Sequence, residues 1–168
     1  MSGEHSVMTI NLKQANRELW WFGWRYIPLI GFCAPKIRQI SEQSLTVSIP
    51  HGWRTKNHLG SIYFGALAIG ADLAGAFLVF SKAKARGVNA NFAFKDVHGE
   101  FLKRPEAEVW FTSDDGALID AMIDESLQSG QRINKTVSVN ITCPSLHGDE
   151  PMARFKLTLS IKATPKKR

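Results

Sequence analysis

The sequence predicts an α+β fold in which one long apolar helix is wrapped by a mostly antiparallel sheet of five to six strands, with a helical segment ahead of it. Three observations predict it. Residues 60–80 form an apolar run of helical length that holds a single carboxylate, Asp72. Five shorter stretches alternate apolar and polar residues with period two, the pattern of half-buried strands. A sheet of such strands has one wet and one dry face, and residues 61–81 are the only segment apolar enough to cover the dry one.

In chain order, residues 10–34 read as helix first, broken near Gly23 and Pro28. The cluster Trp20, Trp21, Phe22, Trp24 and Tyr26 has two readings, a helix face covering an apolar surface or a membrane-surface anchor. The first is preferred, and Arg25 and Pro28 argue against a span, which needs about 20 uninterrupted apolar residues. Ser44–Ile49 is the first strand, followed by a loop over 50–60 and then the long helix. Strands are expected at Val88–Phe94, Ala107–Thr112, Thr136–Thr142 and Phe155–Lys162. Between the third and fourth strands of the five, Leu118, Ile119, Met122, Ile123 and Leu127 recur at helical spacing. Asp114 or Asp115 is the expected N-cap there, and Gly130 lies past the C-terminus.

The long helix contains Gly65, Gly70 and Gly75. Each costs roughly 1 kcal/mol relative to alanine, so close approach by a backbone or a ligand is the expected compensation. On a helical wheel Gly65, Ala68, Asp72, Gly75 and Ala76 share one stripe, which places Asp72 opposite space left by small side chains. A transmembrane reading of this helix is weaker, because it puts a carboxylate at mid-membrane.

The 168 residues fit one domain spanning 1–168, and 44% hydrophobic with 21% charged residues suits a soluble protein. Cys33 and Cys143 stand apart in no ligand or redox motif, so both are expected reduced in a cytoplasmic protein without a secretory signal. Of the net charge of +6, three units come from Lys166, Lys167 and Arg168, so residues 165–168 read as a solvated, disordered basic tail rather than a nucleic-acid arm. His5, His51, His98 and His147 show no metal-ligand spacing, His58 reads as a loop histidine, and no dinucleotide or phosphate-loop motif is present. No metal, no resident cofactor, no nucleic-acid partner and no stable membrane insertion are expected.

In layout and in one motif, Asn57, Tyr63, Gly65 and Asp72, the chain resembles hotdog-fold thioesterases of the PaaI-like type and their uncharacterised YiiD C-terminal-like relatives. That family carries an Asn, a His six residues on, a glycine at the helix start and an acidic residue nine positions after the His. Tyr63 stands where the family has the His. The resemblance implies hydrolysis of an acyl-coenzyme A thioester by a homodimer or a dimer of dimers, with the coenzyme entering as substrate.

The chemistry of such a site needs oxyanion donors, an activated water or nucleophile, and a dry acyl slot. The unpaired N–H of Gly65 at the helix start is the expected donor. Asp72, desolvated among small residues, is the expected general base or nucleophile. Asn57 would orient the carbonyl or water, and Tyr63, Phe64 and Ala68 are expected to line the substrate. Gly65 and Asp72 lie seven residues apart, about 10 Å along a helix axis, so both act on one carbon only if they come from two chains. A non-catalytic acyl-thioester-binding protein is the alternative. Lys82, Lys84, Arg86, Lys103 and Arg104 are candidate partners for coenzyme phosphates.

Overall fold

The computed structural model describes residues 11–166; His5 and the last two residues of the basic tail, Lys167 and Arg168, lie outside them. The chain begins with α1, Leu12–Tyr26, capped by the Asn11 side chain, whose Oδ1 accepts from the N–H of Lys13 at 2.9 Å. It breaks at Ile27, and α2 runs Pro28–Cys33. Then follow β1 (Lys36–Ile40), β2 (Leu45–Ile49), α3 (Phe64–Ala85), β3 (Val88–Phe101) and β4 (Val109–Ser113). The chain ends with α4 (Gly116–Ser129), β5 (Ile133–Thr142), α5 (Pro144–His147) and β6 (Pro151–Pro165). The six strands form one antiparallel sheet in the order β1-β2-β4-β5-β6-β3.

The central helix lies on one face of this sheet with Leu67, Ala71, Ala74 and Leu78 buried. Burying one such leucine is worth about 1.5–3 kcal/mol, against about 1 kcal/mol for each helical glycine, so packing outweighs the propensity deficit of α3. Its length and apolarity would suffice to cross a bilayer, but in this fold most of its surface is buried inside the chain. The helix α4 closes the core beside it through Ile119, Met122 and Ile123, and the buried Lys82 of α3 reaches Asp120 of α4 at 2.6 Å. Gly130 ends α4 in the left-handed conformation at φ 66°, as its place past the last apolar residue predicts.

Several expectations are corrected. The break in the N-terminal helix is at Pro28 alone: Gly23 sits inside α1, where a Cβ would lie 2.9 Å from the Gly31 backbone of α2. The strand β1 escapes the period-two pattern because a register shift between Ile37 and Gln39 breaks its alternation. Gly70 and Gly75 are not held open for a partner's backbone. Gly70 receives the Phe111 ring of β4, and a Cβ on Gly75 would lie 3.3 Å from Val137 of β5. Asp115 occupies the N-cap position of α4 without capping it, and its Oδ2 instead accepts from the Ser138 N–H at 2.7 Å. Pro165, read as the first residue of the tail, closes β6 opposite Val88. The α1 helix does cover apolar surface through Ala15 and Leu19, yet it leaves Trp20 64% and Trp21 53% exposed.

Candidate active site

The loop before α3 is tied from several sides. The Thr55 hydroxyl donates to Pro50 O at 2.6 Å, His51 Nε2 bonds Gly60 O at 2.7 Å, and the Ile62 N–H donates to Pro105 O at 2.9 Å. Asn57 organises its middle, with Oδ1 accepting from the N–H groups of Leu59 at 2.9 Å and Ser61 at 3.2 Å. The carbonyl end of Asn57 is therefore structural, and its Nδ2 has no partner among the described residues.

Tyr63 is the N-cap residue rather than part of the first turn, in extended conformation at φ −68°, ψ 141°. Its N–H donates to Thr55 O at 2.7 Å, and its carbonyl accepts from Ala66 and Leu67. The N–H groups of Phe64 and Gly65 that follow have no acceptor among the described residues and sit at the positive end of the α3 dipole. The Tyr63 ring lies over Gly65, where a Cβ would come within 2.6 Å of Cε1. A close approach does exist at Gly65, and the approaching group is the exposed phenol of its own chain.

This helix start opens on a cleft of about 670 Å³ whose lining includes Asn57, Ser61, Phe64, Lys103, Arg104 and His147. Ser61 Oγ is buried beside it without a hydrogen-bond partner. Of the five candidate cations, Lys103 and Arg104 border this cleft, and Lys103 is paired with Glu150 at 2.5 Å. The other three, Lys82, Lys84 and Arg86, are engaged near the far end of α3 with Asp120, Glu18 and Asp124.

Asp72 opens on a different cleft, of about 210 Å³, that shares no lining residue with the first. Its walls come from α1, α2, α3 and β3, and Asp72 is the only ionisable group on them. The carboxylate has no hydrogen bond or ion pair among the described residues. Burial in apolar surroundings raises its pKa above the usual carboxylate value. Ala68 is half-buried on the stretch of α3 between Gly65 and Asp72.

Of the six residues predicted for the site, Asn57, Phe64, Tyr63 and Gly65 thus gather at the helix start, and Asp72 stands about two turns away. The sequence signals that were missed are the N-terminal walls of the Asp72 cleft, Phe22 and Ile30, which only the tertiary fold brings there. Phe92 and Phe94 were legible as one strand face but not as part of a site. Among the described residues no group of His, Cys, Asp and Glu is placed to hold a metal.

No family model matches this sequence, and no curated protein does. Solved structures do match it. A protein of unknown function from Chlorobaculum tepidum superposes with a TM-score of 0.77 at 14% identity, over 90% of this chain and 96% of that one. A protein of unknown function and probable thioesterase from Pseudomonas aeruginosa gives 0.73 at 15% identity, over 92% and 97%. A thioesterase from Haemophilus influenzae gives 0.64 at 15% identity, over 91% of each chain. At such identities the likeness is one of architecture: a long helix on a six-stranded antiparallel sheet, so the chain has the hotdog fold.

Proposed function

We propose that this protein hydrolyses an acyl-coenzyme A thioester to the free acid and the thiol, as a homodimer with two equivalent sites. The observation that carries the reading is the division of the site: an unpartnered, desolvated Asp72 on one cleft, and free N–H donors with Asn57 on another. Neither half is sufficient, and a two-fold arrangement that brings Asp72 of one protomer to the Gly65 N–H of its partner completes both at once. Two further features support it. The strand β3 is a long sheet edge with no neighbour beyond it among the described residues, and such an edge favours pairing with a second copy. Solved proteins of like fold carry the name thioesterase.

In this reading the Asp72 carboxylate takes a proton from water as its oxygen attacks the thioester carbonyl carbon. The oxyanion forms against the Gly65 N–H, with the Asn57 Nδ2 as a second donor. Collapse breaks the carbon–sulfur bond, the thiolate takes up the proton, and acid and thiol leave. Attack by Asp72 itself, through an anhydride that water then opens, uses the same groups. The cleft at the helix start would take the coenzyme, with Lys103 and Arg104 beside its phosphates.

Complementation tests the assignment. Asp72→Asn and Gly65→Val are each expected to be inactive, whereas a statistical mixture of the two chains, unfolded and reassociated, recovers about a quarter of wild-type turnover, since half the dimers hold one intact site. Recovery of nothing, with mixed dimers present by mass spectrometry, refutes a shared site. One observation favours the binding-protein reading, namely the Tyr63 ring lying close beside Gly65. In that case an acyl-coenzyme A panel binds without release of thiol.

A further inference from the structure

The cleft at Asp72 has dimensions and walls that bear on which acyl group it accepts. Its lining is mostly phenyl and branched side chains, among them Phe22 of α1, Ile30 of α2, Phe77 and Phe80 of α3, and Phe92 and Phe94 of β3. Three of the rings form a continuous run, with Phe80 lying 6.2 Å from Phe22 and 5.9 Å from Phe77 between centroids. Asp72 is the only group on this lining that carries a charge, so the remainder of the cleft offers no partner to a polar acyl tail.

The N-terminal side of the cleft is a fixed wall rather than a flap. The Asn16 amide clamps the start of β1 in both directions, donating to Ile37 O at 2.9 Å and accepting from the Ile37 N–H at 2.8 Å. Glu18 is paired with Lys84 at the end of α3, and the close approach of Gly23 to Gly31 locks α1 on α2. On this side the chain itself therefore fixes the extent of the cleft, about 210 Å³ within one protomer. A dry apolar cavity of about 150 Å³ takes a benzene ring, or about 25 Å³ per carbon, which gives this cleft room for about eight carbons.

We infer that the acyl group bound beside Asp72 is apolar and of short to medium length, one aromatic ring or a chain of about eight carbons, and that Phe22 and Ile30 set its limit. The inference rests on the proposed site, but it concerns binding and can be tested apart from turnover. Long-chain acyl groups are excluded because they need about twice the space, and small polar ones because they leave the rings unfilled.

The test has two arms. Binding is measured by isothermal titration with the non-hydrolysable thioethers S-butyl-, S-octyl- and S-hexadecyl-coenzyme A. Turnover is measured with the matching acyl-coenzyme A thioesters. S-octyl is expected to bind at least tenfold more tightly than either of the others. Phe22→Ala is expected to move the optimum to a longer chain, and Phe22→Leu, which preserves more of the packing under α1, to move it less in the same direction. Tightest binding of the hexadecyl compound, a profile unchanged in both variants, or no binding of any thioether overturns the inference. Octyl-selective binding without thiol release leaves the inference standing and removes the hydrolase. Turnover with no dependence on chain length leaves the hydrolase and removes the inference.

Discussion

The glycines of α3 make opposite predictions for one chemical change, the addition of a single methyl group. At Gly70 a Cβ would overlap Cζ, Cε1 and Cε2 of Phe111, a ring that is fully buried on β4. Phe111 has nowhere to go, because its strand is paired on one side with β2 and on the other with β5. Overpacking of this kind costs about 1–3 kcal/mol and occasionally more, while the methyl recovers about 1 kcal/mol of helix propensity. With three ring atoms in conflict the upper end applies, so Gly70→Ala is expected to destabilise by about 2 kcal/mol. In a chain of this size that lowers Tm by about 4–8 °C. At Gly65 the only obstacle is the Tyr63 ring, 55% exposed and free to swing outward. Gly65→Ala is therefore expected to be neutral or to raise Tm by up to about 2–4 °C. Thermal and urea unfolding followed by far-ultraviolet circular dichroism read both variants. A Gly70→Ala protein as stable as wild type, or equal losses at the two positions, would refute the packing argument.

Asp72→Asn is expected to lower turnover more than tenfold, over 1.4 kcal/mol of transition-state stabilisation, with the dimer intact by light scattering. In the wild type, kcat/KM should fall on acidification through an apparent pKa above the ordinary carboxylate value, since burial disfavours the charged form. The same shift fixes the sign of a stability effect. A folded-state pKa raised above the unfolded one gives stability that is complete below the unfolded value and is lost as pH rises through the folded value. The neutral Asn variant keeps that stability, so it should melt above wild type at neutral pH and level with it near about pH 3; a variant that melts lower at neutral pH contradicts this. Tyr63→Phe should weaken kcat/KM by no more than one hydrogen bond, about 0.5–1.5 kcal/mol, because the hydroxyl has no partner among the described residues. Tyr63→Ala should do more harm to KM through lost contact. A loss of several kcal/mol in the Phe variant would contradict that role, since one hydrogen bond cannot account for it.

The elements of this fold were legible where local physics acts alone. Period-two alternation marked β2, β4, β5, β6 and the first half of β3, and an apolar run of fixed length marked α3. Gly130 and Pro28 marked ends of helices because φ and the missing N–H are properties of single residues. The separation of Gly65 and Asp72 along α3 was likewise readable, since spacing along a helix converts directly to distance. What the sequence could not determine was which neighbour fills which space. Its stripe of small residues reads equally well as room for a partner helix or for side chains of its own sheet. Tertiary packing chose the second for Gly70 and Gly75, because Phe111 and Val137 arrive there from strands tens of residues away. The same holds for the cleft at Asp72. Phe22 and Ile30 belong to an N-terminal segment with no periodic relation to α3, and a wall built by long-range contact leaves no trace in local spacing.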